Sequence, residues 1–298
     1  MAATPGTTDL FPSRAPTGAP TARPDAIGPR GRPAHLDPRL YQIGALAGLL
    51  AYGLLRLELE VRPGRAALIL ATVLAAQYGA TRLWRLPAFD PRSALISGLS
   101  LCLLLRTHSP FVAGAAGLLA VGSKFVLRVR SKHVFNPTNF AIVALLLTGQ
   151  VWVSPGQWGS AASFGFLLAC LGGLVVNRAA RGDVTLAFLV TYAGLLVGRS
   201  RWLGEPMAIP LHRLQNGALL IFAFFMISDP RTTPDSRAGR ILFATLVAVG
   251  GAYVQFGLFR TNGLLWSLAA FSPLVPVLDR VLRGSRYHWT AGPPGRSV

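Results

Sequence analysis

Acidic residues and cysteines are scarce in this chain of 298 residues: 11 Asp and Glu stand against 29 Lys and Arg, with two Cys. Two thiols, Cys102 and Cys170, exclude a four-cysteine iron–sulfur or zinc site within one chain. Both stand in apolar runs, where a thiol behaves as a small hydrophobe; a cluster shared between subunits is the alternative. Charge of either sign is sparse, 13% against the roughly 25% of a soluble domain, while 52% of the residues are hydrophobic. No carboxylate lies deep in an apolar run, which excludes a proton relay of buried acids. Lys124 is the ionisable group nearest a run's interior, where it can snorkel. The histidines, His35, His108, His133, His212 and His288, lie in tails or at helix ends and give no catalytic triad. The net charge of +18 would point to nucleic acid in a soluble protein. Here the arginines sit at the ends of apolar runs without interleaved aromatics, so no nucleic-acid partner is expected.

What is present is a series of ten apolar stretches, near 41–57, 66–83, 93–105, 111–127, 137–153, 161–176, 184–197, 211–228, 241–259 and 262–282. Hydrocarbon offers no partner to a free N–H or C=O, so each crossing is predicted to be a helix and the lipid bilayer is the expected surroundings. Of the 29 basic residues, 21 fall in the tails and even-numbered loops and 8 on the opposite side. This bias predicts a multi-pass protein of the cell (plasma) membrane with both termini cytoplasmic, which requires an even number of spans. Residues 1–38, rich in Pro, Ala, Thr and Arg and without an apolar signal-peptide core, read as a disordered cytoplasmic tail, and 284–298 as a second cytoplasmic tail.

The two halves look alike at an offset near 120 residues. A short run at 93–110 precedes a long one and then a polar turn, VFNPTN, that opens a helix. A run at 214–230 precedes another long one and then RTNG. Five spans per half is an odd number, so the second copy enters the membrane inverted. The predicted fold class is an all-α polytopic membrane protein, with a first five-helix repeat over 39–153 and a second over 154–283. Inverted repeats place a working site where their short or interrupted helices meet, here spans three and eight. Two short packing helices are the plainer reading.

Two constellations carry possible chemistry. In the first, Lys132-His133-Val134-Phe135-Asn136-Pro137-Thr138-Asn139, Asn136 suits an N-cap and Pro137 the first helical position. The helix then aims free N–H groups at an anion beside Lys132 and His133; a plain interfacial helix start is the alternative. A water channel would need two Asn-Pro-Ala copies, and the second copy here, Thr261-Asn262-Gly263, has no proline. In the second, Ser228-Asp229-Pro230-Arg231-Thr232-Thr233, Pro230 breaks the run and Asp229 is a carboxylate at the membrane edge. It can pair Arg231, bind a cation, or close a structural Asx-turn.

At these constellations the sequence resembles the RnfD/NqrB family, the multispan flavoprotein subunits of ion-translocating electron-transfer complexes. The resemblance rests on Asp37-Pro38-Arg39-Leu40-Tyr41, KHVFNPTNF (132–140), AFFMISDPRTTP (223–234) with Gly239-Arg240, and LLWSLAAFSPLVPVLDR (264–280), and covers about 36–283. VWVSPGQWGS (151–160) is similar to a divergent branch linked to enediyne antibiotic clusters, the UnbU-type proteins. The resemblance implies an integral membrane subunit of an electron-transport complex that couples electron transfer to ion movement beside other membrane redox subunits. It implies a flavin, FMN or riboflavin, held by residues among Lys132, His133, Asn136, Thr138, Asn139, Ser228, Asp229, Thr232 and Thr233, with no metal. The Ser-Gly-Ala-Thr type motif that bears covalent flavin in the family is absent, so a noncovalent flavin is expected. Two other functions stay open: a urea-transporter-like permease or channel without redox chemistry, and a membrane protein of an antibiotic (enediyne) pathway.

Overall fold

The computed structural model describes residues 37–55, 61–130, 132–154 and 182–287. The predicted tails and the predicted sixth span lie outside these, or almost so, as do Cys170 and 155–160. The first half runs as helices α1 (Pro38–Leu55), α2 (Pro63–Leu83), α3 (Arg92–Leu104), α4 (Pro110–Val126) and α5 (Pro137–Leu146). The second half has α6 (Gly182–Trp202), α7 (Ala208–Leu214), α8 (Gly217–Ile221), α9 (Arg237–Ala252), α10 (Gly263–Phe271) and α11 (Val275–Val281). α8 continues as a π-helical turn, Phe222–Met226, and α9 as another, Tyr253–Gly257. α10 and α11 are joined by the 3-10 turn Ser272–Leu274. Among the described residues four helical stretches are long and apolar enough to cross a membrane: Pro63–Leu83, Gly182–Trp202, Arg237–Gly257 and Gly263–Val281.

Local chemistry sets the starts. Ser109 accepts from the Val112 N–H at 3.4 Å, Asn136 from the Asn139 N–H at 3.1 Å and Ser236 from the Gly239 N–H at 3.1 Å. Pro110 and Pro137 follow their caps, where a missing N–H costs nothing. Small residues let the helices approach. A Cβ on Gly98 of α3 would stand 2.8 Å from Val73 of α2, and one on Gly251 of α9 would stand 2.5 Å from Leu264 of α10. α2 packs on α3 and α4, α1 on α3, α4 on α5, α6 on α9 and α9 on α10. The core between them holds Leu104, Ile142, Phe188, Phe222, Met226 and Phe243. Outward stand Leu55, Phe111, Leu186, Val190 and Trp202, from 63 to 89% exposed, a surface that suits lipid rather than water.

Two predicted spans are corrected. The helix expected over 137–153 stops at Leu146; Gly149 takes φ +69° and Val151–Val153 form a strand, β4. β4 pairs antiparallel with β1 (Leu105–Thr107), which follows α3 directly, with Arg106 opposite Trp152. The Thr107 hydroxyl donates to the Gln150 carbonyl at 3.0 Å, and the Ser154 N–H to the Leu104 carbonyl at 2.8 Å. Two short helices thus finish in backbone that satisfies itself, as non-helical chain buried among helices must. The run over 211–228 is not one helix either. It breaks at Gln215 and Asn216, because the Asn216 carboxamide captures the Ala218 and Leu219 N–H groups at 2.8 and 3.3 Å and starts α8 afresh.

One end of the molecule gathers the first turn of α1, the last turns of α2 and α4, and the starts of α3, α5, α6 and α9. The Asp229 turn and the end of α11 lie there as well. A two-residue hairpin, β2 (Arg128–Val129) with β3 (Lys132–His133), closes this end between α4 and α5. It carries most of the basic loops of the sequence, and the candidate site lies in it.

Candidate functional site

The structure brings the two constellations together. The Asn136 amide N–H donates to the Met226 carbonyl at 3.3 Å, and the Lys132 ammonium to the Thr233 carbonyl at 2.7 Å. The Met226 carbonyl closes the π-turn, whose ladder runs five residues back, Ile227 N–H to Phe222 carbonyl at 3.0 Å, and it also accepts from the Asp229 N–H at 3.4 Å.

Beside this junction opens a cleft of about 280 Å³. α1 lines it with Arg39 and Gln42, α2 with Gln77, and the start of α3 with Asp90, Ser93 and Ser97. The end of α4 adds Lys124 and Phe125, and the hairpin adds Arg128 and His133. The start of α5 adds Asn136 and Thr138, and the turn after α8 adds Asp229 and Arg231. Phe125 is braced by Trp84, whose ring stacks on it at 5.2 Å. Three arginines and Lys124 face Asp90 and Asp229, and the α3 and α5 N-termini add positive dipole ends, so the cleft is electropositive. Burial, helped by Arg231, Lys124 and Arg128, pushes the His133 imidazole down to about 3, so it stays neutral through the physiological range. Its Nδ1 and the Gln77 Oε1 are buried without a hydrogen-bond partner.

Of the residues expected from sequence, His133, Asn136, Thr138 and Asp229 line the cleft. The others are committed to holding its walls. Lys132 is ion-paired with Asp235 at 3.0 Å and Asp279 at 2.7 Å, each partly buried, and ties the hairpin to the start of α9 and to α11. Asn139 donates to the Leu265 carbonyl at 3.1 Å. The Ser228 hydroxyl donates to the Phe224 carbonyl at 2.6 Å, and those of Thr232 and Thr233 to the Asp229 carbonyl at 3.4 and 3.1 Å. Asp229 closes the Asx-turn, accepting from the Arg231 N–H at 3.0 Å, while facing the cleft.

Sequence reasoning missed Gln42, Gln77, Ser93 and Ser97, which lie in distant spans and carry no local motif. Arg39 is legible in the sequence as a tail charge and within the Asp37–Tyr41 stretch, and Asp90 is not singled out; the structure joins them at 2.5 Å and adds Asp37 against Arg39 at 2.7 Å and Arg92 at 3.0 Å. Burial alone would raise the Asp37 carboxyl, but the Arg39 hydrogen bonds and the Arg92 charge hold it below the usual carboxylate range. Among the described residues no group of His, Cys, Asp and Glu is arranged to hold a metal ion.

The sequence profile of the NQR2, RnfD, RnfE family matches residues 126–288, from the hairpin to the end of α11 and beyond. An ion-translocating oxidoreductase complex subunit from Escherichia coli O1:K1 / APEC is 31% identical over 170 residues, covering 55% of this chain and 44% of that protein. The like-named protein from Shigella boydii serotype 18 (strain CDC 3083-94 / BS512) is 30% identical over 170 residues with the same coverage. The match therefore spans less than half the length of these relatives. With a profile match over more than half of its residues, the chain belongs to the NQR2, RnfD, RnfE family and is a mostly helical, multi-pass membrane protein.

Proposed function

We propose that this chain is a membrane subunit of an ion-translocating electron-transport complex and holds a noncovalent flavin, FMN or riboflavin, in the basic cleft. The observation that carries the reading is the donor and acceptor set there. A flavin ring edge alternates carbonyl acceptors with an N–H donor. The cleft offers the Lys124 ammonium and neighbouring cations as donors, and the unpartnered Gln77 Oε1 as an acceptor. The volume is at the lower end of small-molecule sites, so the ring fits while its side chain reaches the open, arginine-lined mouth. A bound flavin supplies one- and two-electron transfer, which no side chain here provides. The chain's own residues bind and orient: Asn136 and Lys132 fix the α5 start and the hairpin against the Asp229 turn, and Phe125 with Trp84 forms an apolar wall.

The same reading takes the molecule as two inverted five-helix repeats in the plasma membrane, with the basic end in the cytoplasm. It is supported by matching neighbours: the second span packs on the fourth in each half, α2 on α4 and α6 on α9, and the fourth on the fifth, α4 on α5 and α9 on α10. The cleft then lies where α3 and the broken α7–α8 segment of opposite repeats approach. A permease without redox chemistry is the second reading, favoured by that broken segment. The test is the visible spectrum of the protein after gentle detergent extraction together with its partner subunits. Flavin absorbance that leaves with the supernatant on acid precipitation is expected. A colourless protein that moves a small solute in liposomes overturns the redox reading for the permease.

A further inference from the structure

Lys124 stands apart from the other buried cations at the basic end. Arg39 is paired with Asp37 and Asp90, Lys132 with Asp235 and Asp279, and Arg240 with Asp183. Lys124 is the most enclosed of them, 4% exposed, yet it joins none of these ion pairs. One of its protons goes to the Ser93 carbonyl at 2.7 Å, and the ammonium lines the cleft with two donors left over. Asp90 and Asp229 line the same cleft and offset part of the cost of this buried ammonium, whose spare protons a bound anion would take up. Arg128 and Arg231 also line the cleft, with more of their side chains open to solvent than Lys124 has. Gln77 lines it too, 7% exposed, with its Oε1 unpartnered. A deep cation with spare protons and a lone acceptor in one cleft suit a ligand that bears both a negative charge and an N–H group.

Resting on the flavin reading above, we propose that Lys124 is the residue that makes this cleft prefer the reduced, negatively charged form of the flavin, with Gln77 receiving the ring N–H in either form. Two electrons and one proton added to the neutral ring leave one negative charge on its pyrimidine edge, and Lys124 is the counter-ion for it. Tighter binding of the reduced form raises the midpoint potential of the bound flavin, so the chain is built to accept electrons from a donor of lower potential. Gln77 makes the same contact in both forms and sets affinity without setting that preference.

The test titrates riboflavin, oxidised or reduced with dithionite, into the purified full chain at neutral pH. Wild type is expected to bind the reduced form at least tenfold more tightly, which corresponds to about 30 mV for a two-electron couple. Lys124→Met and Lys124→Gln are expected to lose the preference and Lys124→Arg to keep it. Gln77→Leu should weaken both forms alike. The Gln variant keeps a donor without the charge, so the test does not hang on how well the Met variant folds. Equal binding of both forms by wild type, or a tenfold preference that survives in Lys124→Gln, overturns this inference alone. Wild type that binds neither form overturns the flavin reading and this inference with it.

Discussion

His133 shows how one residue can be half legible. Its place beside an Asn-Pro helix start marked it as a candidate, and it does line the cleft. Its state was not legible, because that depends on Arg231, Lys124 and Arg128 arriving from elsewhere. In the unfolded chain it titrates near 6.5, and in the fold it is pushed down to about 3. Between these values the unfolded state binds the extra proton, so stability rises with pH through that window and is lost as pH falls from about 6.5 toward 3. Thermal unfolding in detergent is therefore expected to shift downward between pH 7 and pH 5, and His133→Gln to flatten that slope. An unchanged slope in the variant would show that His133 is charged or solvated in the fold. Asn136 was legible in full as a cap, since Asn and Pro at that spacing act locally. Its bond to Met226 was not, because it joins segments 90 residues apart, which only packing brings together.

Elements were read well where a long apolar run was uniform and poorly where it was not. α2, α4, α6 and α9 match their predicted runs to within a few residues at most ends. The exceptions have local causes. Thr148, whose hydroxyl donates to the Leu145 carbonyl at 2.7 Å, and Gly149 at positive φ follow the early end of α5, and Asn216 splits the eighth run. Period alone cannot distinguish the last seven residues of 137–153 from helix, since Val151–Val153 is as apolar as what precedes it. Close packing makes a prediction at this scale. Gly98→Val places a side chain against Val73 of α2, already within 2.8 Å of a bare Cβ. Overpacking of this kind costs about 1–3 kcal/mol, so a lower unfolding temperature is expected. Gly44→Val on α1, where nothing lies within 4 Å of a Cβ, should leave it nearly unchanged. Equal loss in both would mean that α2 and α3 are not apposed as described.

At the scale of the molecule, charge placement carried the most information. The loops that the arginine count put on one side do meet at one end of the structure: Arg39 with Asp90, Lys132 with Asp235 and Asp279, Arg240 with Asp183. The proposal that this end faces the cytoplasm rests on the positive-inside bias. Tags fused to either terminus are expected to be inaccessible to an impermeant reagent in intact cells, and a cysteine placed at Arg260, in the turn before α10, to be labelled. Labelling of one terminus from outside would remove the even number of spans and with it the inverted repeat. The cleft itself was not visible at this scale, because its lining comes from seven segments between Arg39 and Arg231, and no stretch of sequence records their approach.

The most direct measurement is flavin per chain after mild extraction, compared across wild type, Asn136→Ala, Asp229→Ala and Arg260→Ala. Asn136 and Asp229 hold the wall where the two halves meet, while Arg260 lies on an exposed turn at the other end. The account predicts a near-stoichiometric, acid-releasable flavin in wild type and Arg260→Ala, and a several-fold loss in the other two. Equal flavin in all four proteins would place the cofactor away from this cleft, and none in wild type would remove it altogether.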